Sequence, residues 1–290
     1  MKFHCSLMGN ARGEISSGLC SFLFFLCAFI INVNSVFAGA WVPAENSGYH
    51  KFSYAYFEAD DFFGQNDTFD EFQSQAITYY GEAGLGNNLG LFWSIPYQIL
   101  EQTDSDGNQT EGEGIGDIEI GIRKQLISQP FVFSTSFTLK TPFAYEDDDE
   151  LPLGNGQEDY ELRFLFGKGL GKFGYVGIEG GYRLRSSDPS DEWRYLLEYG
   201  ISASKNLYFR TKLDGIESVR NADVNANSAN LAVNPEFDLG KWELTAGWNF
   251  DKANEKQEGN WGVEFTWTQD AFGDNALQGD RFELGFTYVH

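Results

Sequence analysis

From Tyr49 onward the chain repeatedly alternates an apolar or aromatic side chain with a small or polar one. Phe282, Leu284, Phe286 and Tyr288 interleave with Arg281, Glu283, Gly285 and Thr287. Trp261, Val263, Phe265 and Trp267 interleave with Gly262, Glu264, Thr266 and Thr268. Successive side chains of a strand point to opposite faces, so a period of two gives one apolar face and one polar face. Segments of this kind fall near 49–58, 72–85, 89–100, 115–127, 131–141, 159–167 and 173–185. Others fall near 193–203, 207–214, 229–239, 241–251, 260–268 and 281–289. Most have the ~9–11 residues or slightly more that a tilted membrane strand needs, where soluble sandwich strands are nearer ~5–6.

The connections alternate in length as well. Gly86-Asn87-Asn88, Ser128-Gln129-Pro130, Lys205-Asn206 and Gly240-Lys241 read as tight turns, and 168–172 as a longer Gly-rich one. Between them lie loops at 59–71, 101–114, 142–158, 186–192 and 215–228. Short turns at one end and long loops at the other are the habit of outer-membrane barrels. The expected fold is all-β: a single antiparallel transmembrane β-barrel of 12 to 14 strands, with short periplasmic turns and long extracellular loops. Thirteen segments is an odd number, whereas bacterial single-chain barrels use even ones. Either a strand hides in 215–228 or before Tyr49, or one segment is not a strand. The competing architecture is a secreted soluble β-sandwich, with Trp261, Phe265, Phe282 and Phe286 packed between two sheets.

The segment before Gly39 reads as an export signal. Lys2 and Arg12 precede the apolar run 19–31, and small residues follow, so residues 1–38 are expected to be removed by cleavage after Ala38 or Ala40. Residues 39–290 form the barrel. Cys5, Cys20 and Cys27 all lie in the signal, which leaves the rest without a disulfide, a thiol nucleophile or a cysteine metal site. No apolar run after Ala40 approaches the ~20 residues of a membrane helix. Mean hydropathy is −0.36, as expected of strands that show lipid at only every second residue.

The net charge of −23 excludes nucleic acid as a partner. The 17% of aromatic residues excludes a disordered chain.

Several short motifs carry a family likeness: Gly39-Ala40-Trp41, then 79–86 (YYGEAGLG) running into 91–96, then 114–118 (GIGDI). Lys140-Thr141-Pro142 and 153–156 (LGNG) continue it. Together they resemble the outer-membrane barrels of the MetA-pathway-of-phenol-degradation family, distantly similar to long-chain fatty-acid channels. The resemblance implies a transporter or channel for small, often aromatic or hydrophobic compounds, and it implies no catalytic residues. His290 departs from the usual terminal Phe or Trp that the barrel-assembly machinery reads; Tyr288 is placed to replace it in part.

On these strand phases the polar, inward set includes Asp117, Glu119, Arg123, Lys140, Glu161, Arg163, Glu179, Arg183, Arg185, Arg194 and Glu198. It continues with Arg210, Lys212, Glu236, Asp238, Glu243, Glu264, Arg281 and Glu283. An Arg or Lys facing hydrocarbon costs ~2–4 kcal/mol, which favours the lumen. Arg163, Arg183, Arg185, Arg194, Arg210 and Lys212 fall on four consecutive segments, and Glu236, Asp238, Glu243, Asp251, Glu264 and Glu283 on the last four. Two arrangements are open: a basic wall facing an acidic one across a constriction, or ion pairs between neighbouring strands that fill a narrow barrel.

Acidic loops with Asp104, Asp106, Asp147 and Asp149 are weak candidates for Ca²⁺. Their spacing does not match an EF-hand, and no metal or cofactor is expected. Solvated rims near lipopolysaccharide are the plainer reading. The glycines at 112, 114 and 116 precede a strand, so the helix N-terminus of a phosphate site is missing. His50 and His290 are the only histidines after the signal and neither sits beside a strand-borne serine, so no enzyme is expected. The leading expectation is a channel for passive or facilitated uptake of a small solute. The alternative is a non-conducting structural barrel.

Overall fold

The computed structural model describes residues 39–64, 69–143, 145, 149–226, 228–250 and 259–290. The expected signal, Asp147 and Asp251 lie outside the described residues. The chain forms one closed antiparallel sheet. Its strands are β1 (Gly48–Phe63), β2 (Phe69–Gly86), β3 (Leu89–Asp104), β4 (Gln109–Ile115), β5 (Ile118–Ile127), β6 (Val132–Thr141) and β7 (Asp159–Gly169). They continue with β8 (Tyr175–Arg185), β9 (Glu192–Ser202), β10 (Leu207–Ser218), β11 (Asp238–Asn249), β12 (Asn260–Asp274) and β13 (Ala276–Val289). Each pairs with its sequence neighbour, and β1 pairs with β13 from Tyr49↔Val289 to Phe63↔Ala276, which closes the ring.

The odd count resolves in two steps. β4 and β5 follow one another along the same neighbour: β3 pairs with β5 from Leu89 to Ser94 and with β4 from Tyr97 to Thr103. The break falls opposite Pro96, which has no N–H to give; the ladder there is held only by Gly116 N–H donating to the Pro96 carbonyl at 3.1 Å. The two pieces therefore make one stave of a 12-strand barrel, with β4 rising beyond it. The segment 229–239, in contrast, is not a strand. Asn230 accepts from Ala232 N–H and caps a 3-10 turn at Leu231–Val233, and Pro235 follows. Asn and Pro chemistry overrides a short alternating pattern there. Gly240 and Lys241, read as a turn, lie inside β11 at a bulge against β12. No strand hides in 215–228, because β10 simply runs on to Ser218.

The apolar phase faces outward. Phe52, Phe265 and Phe286 are 56%, 52% and 57% exposed, and Trp261 and Phe282 are exposed with them. A closed ring has no second sheet to cover these side chains, so the sandwich is ruled out and the belt is matched to hydrocarbon. The inward phase is polar: Ser134, Ser136, Thr138 and Lys140 of β6 are all buried, while Phe137 between them is exposed. An apolar cluster sits inside at the loop end, where Phe62, Phe69, Phe72, Leu100 and Leu277 meet Leu151 and Leu153 of the 142–158 loop.

Candidate functional site: the lumen

The inward charges pair between neighbouring strands, in two groups. On β7–β9, Glu161 takes Arg163 (2.8 Å), Arg183 (2.9 Å) and Arg194 (3.6 Å). Asp159 takes Lys140 at 2.9 Å, Arg183 also reaches Glu119 at 2.9 Å, Arg163 reaches Glu179 at 3.0 Å and Arg185 reaches Glu192 at 3.1 Å. On the far side Glu264, 2% exposed, takes Lys51 (3.1 Å) and Arg210 (3.6 Å) and accepts from the Tyr208 hydroxyl at 2.5 Å. Lys51 also reaches Glu283, and Lys212 reaches Glu243 at 3.2 Å. Glu198 accepts from Tyr175 at 2.6 Å.

Acids thus sit beside bases on the same strands, and the two-wall arrangement gives way to local pairing. The reason is register: Glu161 faces Arg183 and Lys212 faces Glu243 directly across adjacent strands, where opposite charges attract at the shortest range. Glu236 is not on a strand at all. It lies beyond the Leu231–Val233 turn, pairing with Arg220 at 3.4 Å near the loop end.

Lys51 and Glu82 belong to this set although neither stood among the candidates. Lys51 shares its phase with Tyr49 and Ser53, so alternation in β1 was a sufficient signal. Glu82 pairs with Arg123 at 3.1 Å.

Between the paired walls lies a chamber of about 1160 Å³ toward the turn end, bounded by Lys51, Glu82, Arg210, Glu264, Arg281 and Glu283 among others. Its mouth is crossed by residues 39–47, which run inside the barrel before β1 begins. The Ala40 carbonyl accepts from Ser134 at 2.5 Å, the Trp41 carbonyl from Arg123 at 3.1 Å, and Val42 N–H donates to Gln125 at 3.2 Å. Trp41 meets Tyr175 edge to face with centroids 5.9 Å apart. Nothing larger than glycine fits beneath this strap at two points. A Cβ on Gly167 would lie 2.3 Å from the Trp41 ring, and one on Gly84 1.9 Å from the Ala44 carbonyl.

The loop end is also drawn inward. Gly114 to Ile118 and Leu153 to Gly156, two of the Gly-rich motifs, converge on Asp117. Its carboxylate takes Lys140 at 2.7 Å and the Tyr145 hydroxyl at 2.5 Å, and Gly156 N–H donates to that hydroxyl at 3.1 Å. Asn230 donates to the Pro152 carbonyl at 2.8 Å and ties this loop to the 219–237 loop. Beneath them is a second, smaller cavity of about 280 Å³.

The acidic loops show no metal constellation among the described residues. Asp104 spends its carboxylate on its own turn, accepting from Asn108 side chain and backbone and from Asp106 N–H, each at 2.9 Å. Those bonds, the Asn108 side chain first, hold its carboxyl below the usual 3.8. Asp106 and Asp149 do not join it in a ligand cluster. His50 and His290 stack 5.3 Å apart at the turn-end rim, with His50 Nδ1 2.9 Å from the Tyr79 hydroxyl; no serine hydroxyl hydrogen-bonds to either among the described residues.

Compared with solved structures, the chain is similar to the COG4313 outer membrane channel from Pseudomonas putida F1. The TM-score is 0.67 at 14% identity, over 88% of this chain and 100% of that one. Less similar are the translocator domain of autotransporter NalP from Neisseria meningitidis (TM-score 0.48, 11% identity, 94% of this chain and 96% of that one) and the KdgM porin (0.43, 8%, 82% and 98%). No family model and no curated protein sequence matches the chain. The likeness to the MetA-pathway family is therefore carried by the sequence motifs alone. What the closed ring, its outward apolar belt and the 0.67 superposition establish is the fold: the chain is an outer-membrane-type β-barrel.

Proposed function

We propose that the protein is an outer-membrane channel that passes small solutes by diffusion through its lumen. The observation that carries this reading is the 1160 Å³ chamber inside a closed barrel. A barrel serving only as a wall has no use for a chamber of that size. The side chains that would meet the solute are Lys51, Arg210, Lys212, Arg281, Glu264 and Glu283. Aromatic or hydrophobic cargo follows from the family resemblance. Lipid and lipopolysaccharide around the belt, and the assembly machinery during insertion, are the partners such a barrel needs. Residues 1–38 serve as the export signal in this reading.

The docked strap supports a second reading, a non-conducting envelope barrel, since it lies across the mouth. Single-channel recording of the refolded protein in a planar bilayer separates the two. Discrete current steps are expected for the channel, and their absence at every voltage tested supports the closed barrel. Heat-modifiable gel mobility and fractionation with the outer membrane test the location.

A further inference from the structure

The small cavity at the loop end differs in chemistry from the chamber below it. Phe57, Phe72, Leu231, Leu239 and Leu277 supply most of its wall, so water there loses hydrogen bonds and an apolar body displaces it favourably. At about 280 Å³ it lies at the lower edge of the ~300–1000 Å³ usual for small-molecule pockets, room for one ring with a short chain.

Two cations border it. Arg281 lines both this pocket and the chamber. It has one ion-pair partner, Glu283 at 3.2 Å, and its side chain remains 39% exposed. Lys241 is the more telling. Among the described residues it makes no ion pair within 4.0 Å, although it lines the pocket and faces Asp270 across the β11–β12 ladder. The bulge between Gly240 and Lys241 turns both Leu239 and Lys241 into the pocket. Asp270 is 7% exposed and accepts from Gly279 N–H at 3.2 Å, while Asp117 is held by Lys140 and Tyr145. The pocket's acids are thus engaged, and a lysine without a contact partner stands at an apolar wall. A carboxylate on the solute is the group that completes it.

We propose that this pocket is an entry subsite for small amphipathic carboxylates. The apolar body sits against Phe57, Phe72 and Leu231, the carboxylate sits on Lys241, and Arg281 hands it to the charged chamber. The inference rests on the channel reading for its role in uptake, but binding is measurable without conduction. Isothermal titration of the folded, detergent-solubilised protein would use three probes: 3-phenylpropionate, its neutral counterpart 3-phenylpropanol, and acetate. The expected order is phenylpropionate at least tenfold tighter than either of the others. Lys241→Gln should bring phenylpropionate down to the phenylpropanol level, and Leu231→Ser should weaken both phenyl probes alike. Both variants are first checked for heat-modifiable mobility, and a variant that fails this check is replaced by Lys241→Met or Leu231→Thr. Equal binding of the acid and the alcohol, or an unchanged preference in Lys241→Gln, overturns the subsite. Current steps measured in parallel with chloride alone report on the channel itself. Steps without phenylpropionate binding sink the subsite and spare the channel; binding without steps does the reverse.

Discussion

Removing the Trp41 side chain should release the strap while leaving the barrel intact. The strap holds to the wall through three hydrogen bonds made largely by its backbone and through one large side chain. Trp41 contributes the edge contact with Tyr175 and packs against the small cluster of Ala40, Val132 and Leu165. A fully buried Trp truncated to Ala costs ~3–5 kcal/mol. Trp41 is only half-buried, so about 2 kcal/mol is expected for Trp41→Ala. All of that falls on docking, because the strands keep their own ladders. At ~1.4 kcal/mol per decade the undocked population rises about 30-fold. Native-state hydrogen exchange reads this directly. The Val42 amide, bonded to Gln125, should exchange about 30-fold faster, and the amides of β12 and β13 should not change. Uniform acceleration across the barrel would refute the reasoning, since the strap would then be part of the cooperative fold. An unchanged Val42 amide would refute it in the other direction.

Other substitutions test separate parts of the structure. Gly84→Ala should also expel the strap, by collision with the Ala44 carbonyl, and should raise any bilayer conductance. Glu264→Gln strands Lys51 and Arg210 in part; since Glu283 and Glu243 remain to them, about 3 kcal/mol, the low end for breaking a buried pair, is expected from urea unfolding in vesicles. Phe265→Arg places a charge in the apolar belt and should cost about 2–4 kcal/mol by the same assay, whereas Phe265→Leu should be nearly neutral. Burial alone would raise the Asp191 carboxyl, but hydrogen bonds from Arg185 N–H, Tyr182 and Asn221 outweigh it and hold it below 3.8. A depressed carboxyl stabilises above its unfolded value and loses that contribution as the solution is acidified. The Arg185 amide should therefore lose exchange protection below about pH 3.8 and keep it at neutral pH.

Much of the barrel could be read from side-chain alternation, because lipid imposes the period of two on every strand. Phe282, Leu284 and Phe286 admit no other face. Alternation failed at 229–239, where Leu231, Val233 and Phe237 are apolar for a different reason: they turn down into the loop-end cavity. It failed again at Gly240-Lys241, since a bulge and a turn use the same residue types. Which residues point inward was legible; which ones pair was not. Pairing depends on register, and nothing local in the sequence announces that Lys51 meets Glu264 from the other end of the chain. The strap was also invisible as structure, because Gly39-Ala40-Trp41 has no periodicity, and its hold comes from Ser134, Arg123 and Gly167 on distant strands.

The wall of this barrel is not level. β2 and β3 have 18 and 16 residues where β6 and β7 have 10 and 11, and the added length lies at the loop end. At ~3.3 Å per residue and a tilt near 40°, that flank overtops the other by roughly 15–20 Å. A bilayer of even thickness is matched by the low flank, so the high one stands as a parapet among the surrounding sugars. Molecules drifting in from outside meet a fence on one side and an open sill over β6 and β7 on the other.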